Sequence, residues 1–473
     1  MDQRQTPEQR PANPRRRKRS QFQIFKETYL PVIIAGVALL LILIILIGSV
    51  VRAFQRRAIR AEEAYQASVA AQVEQERQQM EADRLLWEAE NLAGQYDYDG
   101  AIAALEQFDG DWAKFPEFSE KLEQYKAERE SLVLWEDTQN ILNLSFQVLI
   151  ADPDRAFRDA EYGNSYKNHY VTTEEFLRIL EQLYQNDYIL VSTEDCYSKD
   201  TDTLGNVTLT EKPLYLPAGK KPLILTQTNV CYNLYMVDSD DDYLPDSGGA
   251  GFAHKLIVDD NGNISAVMIK EDGTEDVGSF DLVPILDSFV ETHPDFSYKG
   301  ARAILALTGF NGILGYRTNQ DAQQQLPSGD YDREITNAME VSNALAENGY
   351  EFACYTYNNK AYGIMSAEDM RAELALWSEE VGTLIGRPDI FVFAQQSDIS
   401  DDKAGYTGEK YDLLKAEGYN LFFGFCADGT PWQTLSGDHV RIGRILVTAA
   451  NLENNPQWFD GILDPSYVLT APR

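Results

Sequence analysis

The sequence predicts an α/β protein whose parallel barrel or sheet follows an N-terminal membrane helix and a helical stalk. Three observations predict it. First, short apolar runs at 221–226, 302–307, 350–356, 390–394 and 420–426 alternate with amphipathic helical patterns at 333–347, 366–384 and 408–417. Such alternation implies parallel strands, with any site at their C-terminal ends. Second, residues 32–51 form a twenty-residue apolar run without a charge. At about 1.5 Å per residue it spans a hydrocarbon core of about 30 Å. Third, residues 53–92 are rich in Ala, Glu, Gln and Arg and hold no Pro or Gly, which reads as one long helix.

Taken in order, residues 1–29 are a basic tail carrying Arg10, Arg15, Arg16, Arg17, Lys18, Arg19 and Lys26. A nuclear signal or nucleic-acid arm would look similar. Beside an apolar span, topology is the preferred reason. Residues 30–52 are the expected transmembrane helix. Arg52, Arg56, Arg57 and Arg60 follow it where a secretory signal would carry a small-residue cleavage motif, so the anchor is expected to stay uncleaved. The more basic N-terminal flank places the tail in the cytoplasm and the body outside the cell membrane.

Residues 53–142 are the expected stalk. Within it, 92–106 reads as helix, tight turn, helix, and resembles one tetratricopeptide-type hairpin, with 115–135 as candidate partner. Such arrays need about three units, so a spacer packing on itself is preferred over a peptide-binding array. The second domain runs from 143 to 473. Thr172 and Glu175 make a capping-box pattern. Phe176, Ile179, Leu180, Leu183 and Tyr184 then share one helical face. Residues 212–221 are a Pro/Gly-containing approach to the first predicted strand. Gly349, Gly386 and Gly418 stand where helix C-caps are expected.

Charge is divided unevenly. Residues 1–60 hold 12 Lys/Arg and 3 Asp/Glu, and the rest hold 29 and 72. A body this acidic repels nucleic acid, anionic lipid and anionic wall polymers. Solubility is the preferred reason, with a cationic partner as the alternative. Four cysteines, Cys196, Cys231, Cys354 and Cys426, do not make a disulfide scaffold in 473 residues, although one or two bridges could form outside the membrane.

Several stretches carry a family likeness: Phe146-Gln-Val-Leu-Ile-Ala-Asp, Leu216-Pro-Ala-Gly-Lys-Lys-Pro, His293-Pro-Asp-Phe-Ser-Tyr-Lys-Gly-Ala, Leu307-Thr-Gly-Phe-Asn-Gly-Ile-Leu-Gly-Tyr-Arg-Thr and Asp464-Pro-Ser-Tyr-Val. Over about 143–473 the chain resembles the NodB-homology polysaccharide deacetylases, in a Gram-positive, membrane-anchored branch. The resemblance implies a deformed (β/α) barrel. It also implies a metal-dependent carbohydrate N-deacetylase, with Asp-Asp after the first strand as base and metal ligand and His-Ser/Thr-x-x-His after a later one.

The site motifs depart from that pattern. Thr228 and Asn229 stand at the Asp-Asp positions. Tyr355 and Asn359 replace both imidazoles, and only Thr356 fits. Ala394, Gln395 and Gln396 replace a Pro-aromatic-Gly loop. Neutral amides and hydroxyls hold divalent ions poorly beside carboxylate and imidazole. His169, His254, His293 and His439 offer no local zinc pair such as His-x-x-x-His.

The expectation is therefore a pseudoenzyme with no metal and no catalytic residue. Asn229, Tyr355, Tyr357, Asn359, Gln395 and Gln396 would bind an N-acetylated glycan or cell-wall polymer, or the domain would serve as a scaffold. The alternative is an active hydrolase with relocated ligands drawn from Asp398, Asp401 and the cysteines, including a zinc site if Cys231, Cys354 and Cys426 converge. A disulfide between two of these cysteines is the plainer reading. The acidic run 238–246 could hold Ca²⁺, but it lacks the Gly and terminal Glu of an EF-hand loop, and a solvated loop is preferred.

Overall fold

The computed structural model describes residues 21–238, 245–400 and 402–469. The chain divides into two compact units, Met1–Ala82 and Asp83–Arg473. A single helix, α1 (Leu30–Gly94), provides most of the first unit and ends in the second. Its apolar half exposes Leu39, Leu43 and Ile45 around the whole circumference. Among the described residues it is the one helix long and apolar enough to cross a membrane. The basic tail lies largely outside the described residues.

In the second unit α1 ends in a tight turn, and α2 (Tyr98–Glu106) and α3 (Pro116–Glu130) follow. Asp97 caps α2 by accepting from the Gly100 amide at 3.0 Å. Phe108 stacks on Phe118 with centroids 4.5 Å apart, sealing the two helices together.

Seven parallel strands then close a barrel. They are β1 (Leu142–Phe146), β2 (Lys221–Thr228), β3 (Ile304–Leu307), β4 (Glu351–Cys354), β5 (Ile390–Val392), β6 (Leu421–Phe425) and β7 (Val440–Leu446). Each pairs with the next, and β7 returns to β1 through Ile445↔Leu144 and Leu446↔Ser145. The barrel is deformed at two seams. The first half of β2 pairs with Tyr188–Leu190, and only its second half with β3. The first half of β7 pairs with the antiparallel Gln433–Leu435, and only its end with β1. Side chains alternate as a closed sheet requires. Ile224, Ala306, Ala353, Val392, Phe423 and Ile442 fill the inside. Leu144, Leu225, Leu305, Phe391 and Phe422 pack outward on the helices.

Those helices include α4 (Thr173–Gln185), α5 (Leu282–Thr292), α6 (Ser328–Glu347), α7 (Ala367–Glu380) and α8 (Glu409–Ala416). The capping box of α4 forms as its sequence requires, with Thr172 and Glu175 bonding reciprocally at 2.8 and 3.1 Å. Gly349, Gly386 and Gly418 adopt φ of 91°, 84° and 98°, a region that costs other residues strain. The helix expected over 366–384 is instead broken after Glu380, with a separate turn at Gly382–Ile385. An antiparallel meander, Lys255–Val258, Ile264–Ile269 and Glu275–Gly278, is inserted between β2 and β3.

Two strands, β1 and β7, were not among the five expected from apolar runs. The inward positions of β1 are Asn143 and Ser145, and β7 carries Arg441 and Arg444, so neither reads as a continuous apolar run.

At the start of β4, Glu351 accepts hydrogen bonds from the Thr193 amide at 2.9 Å and from its hydroxyl. Burial outweighs both and raises its carboxyl from the ordinary 4.5 to about 7. A carboxyl with a raised folded pKa stabilises the fold while protonated, so this contribution is complete below about pH 4.5 and lost as pH rises toward 7. Glu351→Gln is expected to flatten the fall in thermal stability between those values, by on the order of 2 kcal/mol. Melting curves of both chains across pH 4–8 check it; parallel profiles would refute it.

Candidate functional site at the barrel mouth

At the C-terminal ends of the strands the backbone repeatedly turns left-handed at non-glycine residues. Asn229 after β2 has φ 57°, Thr356 and Asn359 after β4 have 61° and 52°, and Gln395 and Gln396 after β5 have 53° and 52°. Such conformations persist only where surrounding contacts impose them, and they gather at functional sites. Each of these residues lies in one of the three motif segments that the sequence singles out.

The loops are stitched to one another. Thr228 donates its hydroxyl to the Phe146 carbonyl at 3.1 Å. Asn229 accepts from the Thr308 hydroxyl at 2.9 Å, which ties the end of β2 to the end of β3. Asp281, just before α5, is fully buried and accepts from the Leu149 amide (2.8 Å), the Gln227 amide group (2.8 Å) and the Tyr232 hydroxyl (2.5 Å). It therefore holds the chain on both sides of Asn229.

Arg444, an inward residue of β7 with 0% exposure, lies among the ends of β1, β4, β5 and β6. Its guanidinium donates to Ser145 Oγ at 2.9 Å and to the Phe393 carbonyl at 2.5 Å. It lies 4.4 Å from the Phe425 ring centroid and 5.9 Å from that of Tyr355. Burial pulls its pKa below the ordinary arginine value, while Tyr355 and Cys426 oppose that shift. Among the described residues no carboxylate pairs with it, and its Nε has no hydrogen-bond partner.

The six expected ligand-binding residues separate into groups. Tyr355 points inward against Arg444, and Asn229 sits at the junction of β2 and β3. Gln395 and Gln396 are exposed on the rim. Asn359 keeps a buried Oδ1 that has no partner among the described residues. Tyr357 is not brought to the mouth. The left-handed Thr356 ends the strand alternation, and Tyr357 packs outward with its hydroxyl 2.5 Å from Glu380 on α7.

The groups invoked for relocated ligands have other partners. Asp398 accepts from the Tyr406 hydroxyl at 2.6 Å and from Arg441 at 3.0 Å. Asp401 lies outside the described residues, as does most of the acidic run, 239–244. The expected disulfide is corrected, because all four cysteines are free and buried. Nor do Cys231, Cys354 and Cys426 converge on zinc. Among the described residues no group of three His, Cys, Asp or Glu side chains is placed to hold a metal. Cys231 faces the side-chain oxygens of Asn229 and Asn233 (3.4 and 3.1 Å). Cys354 packs outward in the apolar layer, and Cys426 lies beneath Gly443. Burial raises the thiols, Cys231 to about 11 and the other two to about 12.

The histidines are likewise structural. His439 accepts from the Tyr406 amide at 2.9 Å and lies 2.8 Å from Asp438. Burial holds His254 down at about 3. His169 is exposed and His293 half-buried. Hydroxyls, amides, a phenol and a guanidinium thus stand at the mouth, a set that does not fit a divalent metal. It has no carboxylate or imidazole in the motif positions to take a proton from water.

Sequence reasoning missed Arg444, Thr308 and Asp281. The legible signal was the alternation Val440-Arg-Ile-Gly-Arg-Ile-Leu, which places a charge at an inward position of an otherwise apolar strand.

No protein-family model and no curated protein matches the chain. Among solved structures it is similar to the Streptococcus pyogenes deacetylase PplD in complex with acetate, at 12% identity and TM-score 0.31, over 67% of this chain and 97% of that one. It is also similar to a Mycobacterium smegmatis protein provisionally named a polysaccharide deacetylase, at 13% identity and TM-score 0.20, over 32% of this chain and 42% of that one. Likenesses this remote leave the site to be read from its own geometry.

Proposed function

We propose that the chain is a polysaccharide-deacetylase-like membrane protein that holds an N-acetylated glycan or cell-wall polymer without hydrolysing it. Helix 30–52 would anchor it, with its N-terminus in the cytoplasm and the barrel outside. The observation that carries the reading is the barrel mouth itself. Among the described residues the buried guanidinium of Arg444 has no carboxylate partner, and Thr228, Asn229, Tyr355 and Asn359 hold the motif positions where the family places its base and metal ligands. Deacetylation needs a polarised carbonyl and a base for the attacking water, and these groups supply neither. Neutral amides and an inward phenol suit a sugar's hydroxyl and acetamido groups. The strongly acidic body favours a neutral glycan over an anionic polymer.

The test uses the full chain in detergent, prepared without chelator and offered Zn²⁺ or Co²⁺. The expected result is no stoichiometric metal, no acetate release from chitin oligomers, and weak binding of those oligomers. One tightly held metal per chain with acetate release would establish an active deacetylase and overturn the reading. Absence of both metal and glycan binding would replace glycan recognition with a scaffold role.

A further inference from the structure

We infer that Arg444 occupies, in this barrel, the place and the charge of a bound cation, so that the mouth is closed to metal by a side chain and not only by loss of ligands. The inference rests on the reading above and adds a residue to it.

A buried, unpaired charge is expensive and is usually compensated by a carboxylate. Arg444 is fully buried and has no such partner among the described residues. Its stabilisation comes instead from Ser145 Oγ, the Phe393 carbonyl and the faces of Phe425 and Tyr355. Phe393 precedes the third motif segment, and Tyr355 stands where the resemblance places the first imidazole ligand. The guanidinium therefore lies against one of the three positions at which the resemblance places a metal ligand, Tyr355, and against the ends of β1, β5 and β6. In a water-poor interior, a divalent ion beside a fixed positive charge is repelled, and little solvent is present to screen it. Restoring the missing ligands should then fail unless the arginine is also removed.

The experiment compares two full-length variants. One carries Asn229→Asp, Tyr355→His and Asn359→His with Arg444 retained; the other adds Arg444→Met. Cobalt absorption and metal content are read for both. The Arg444-bearing variant is expected to take up no stoichiometric Co²⁺. The Arg444→Met version is expected to bind at least about 100-fold more tightly, near one ion per chain. Arg444→Lys on the same background keeps the charge and should behave like arginine. Equal affinity with and without Arg444, or no uptake by the methionine version, would overturn the inference. Uptake by the unsubstituted chain would instead overturn the proposed function, so the two failures are distinct. If circular dichroism shows that the multiply substituted chains do not fold, Tyr355→His alone and Tyr355→His with Arg444→His carry the same comparison. Only the second should bind Co²⁺; uptake by the first, or by neither, would overturn the inference.

Discussion

Replacing Trp377 by alanine is expected to destabilise the barrel by about 4 kcal/mol. Trp377 lies on α7, is 1% exposed, and packs in the apolar layer between helices and strands. Its indole donates to the Leu307 carbonyl at 2.8 Å, at the end of β3. Alanine there leaves a large cavity that neighbouring strands cannot collapse into without losing register. Leu307 O would keep its second donor, the Tyr355 amide at 2.9 Å, so cavity and lost packing make up most of the cost. Trp377→Phe retains most of that packing and should cost about 1.5 kcal/mol. Urea unfolding followed by circular dichroism measures both. An alanine variant within about 1 kcal/mol of the parent would show that the α7 contact is not a support of β3.

The second large effect is expected at Asp281. Asp281→Ala removes the acceptor shared by Leu149, Gln227 and Tyr232 and leaves three buried donors unmet, at a cost of about 3 kcal/mol. Asp281→Asn keeps one oxygen, and the Tyr232 hydroxyl can rotate to accept from the new amide, so about 1 kcal/mol is expected. Because Gln227 and Tyr232 bracket Asn229, the alanine variant should also lose hydrogen-exchange protection across residues 229–232. Global destabilisation without that local change would show that Asp281 supports the core and not the mouth.

Much of the fold was legible. The α4 capping box, the three glycines with positive φ, the long apolar helix and five of the seven strands follow from local chemistry. Caps, left-handed turns and apolar runs act within a few residues of themselves. The unrecognised strands β1 and β7 carry polar inward side chains that interrupt the apolar run, Asn143 and Ser145 in β1 and Arg444 in β7. A polar inward residue looks like a loop until the partner that satisfies it is known, and for Arg444 the partner Ser145 lies 299 positions away.

The site was legible in part for the same reason. Polar loops after apolar strands put Thr228, Asn229, Tyr355, Gln395 and Gln396 at the ends of barrel strands. Tyr357 was assigned with Tyr355 because residues two apart share a face in a strand. Thr356 in the left-handed region breaks that rule, and φ at a threonine is set by its surroundings. Asp281 precedes a helix and reads as a cap, yet its carboxylate turns toward Gln227 and Tyr232.

By itself, the sequence determined that a chargeless twenty-residue segment precedes an α/β body, and that neutral side chains stand at the motif positions where the resemblance expects a base and metal ligands. Residue identity and hydrophobic period suffice for both. Only the tertiary structure decided that the barrel closes through β7 onto β1, that the cysteines stay apart, and that the Arg444 guanidinium is buried among the strand ends without a carboxylate partner among the described residues. Each of these depends on which distant groups burial brings together, and no local pattern encodes that.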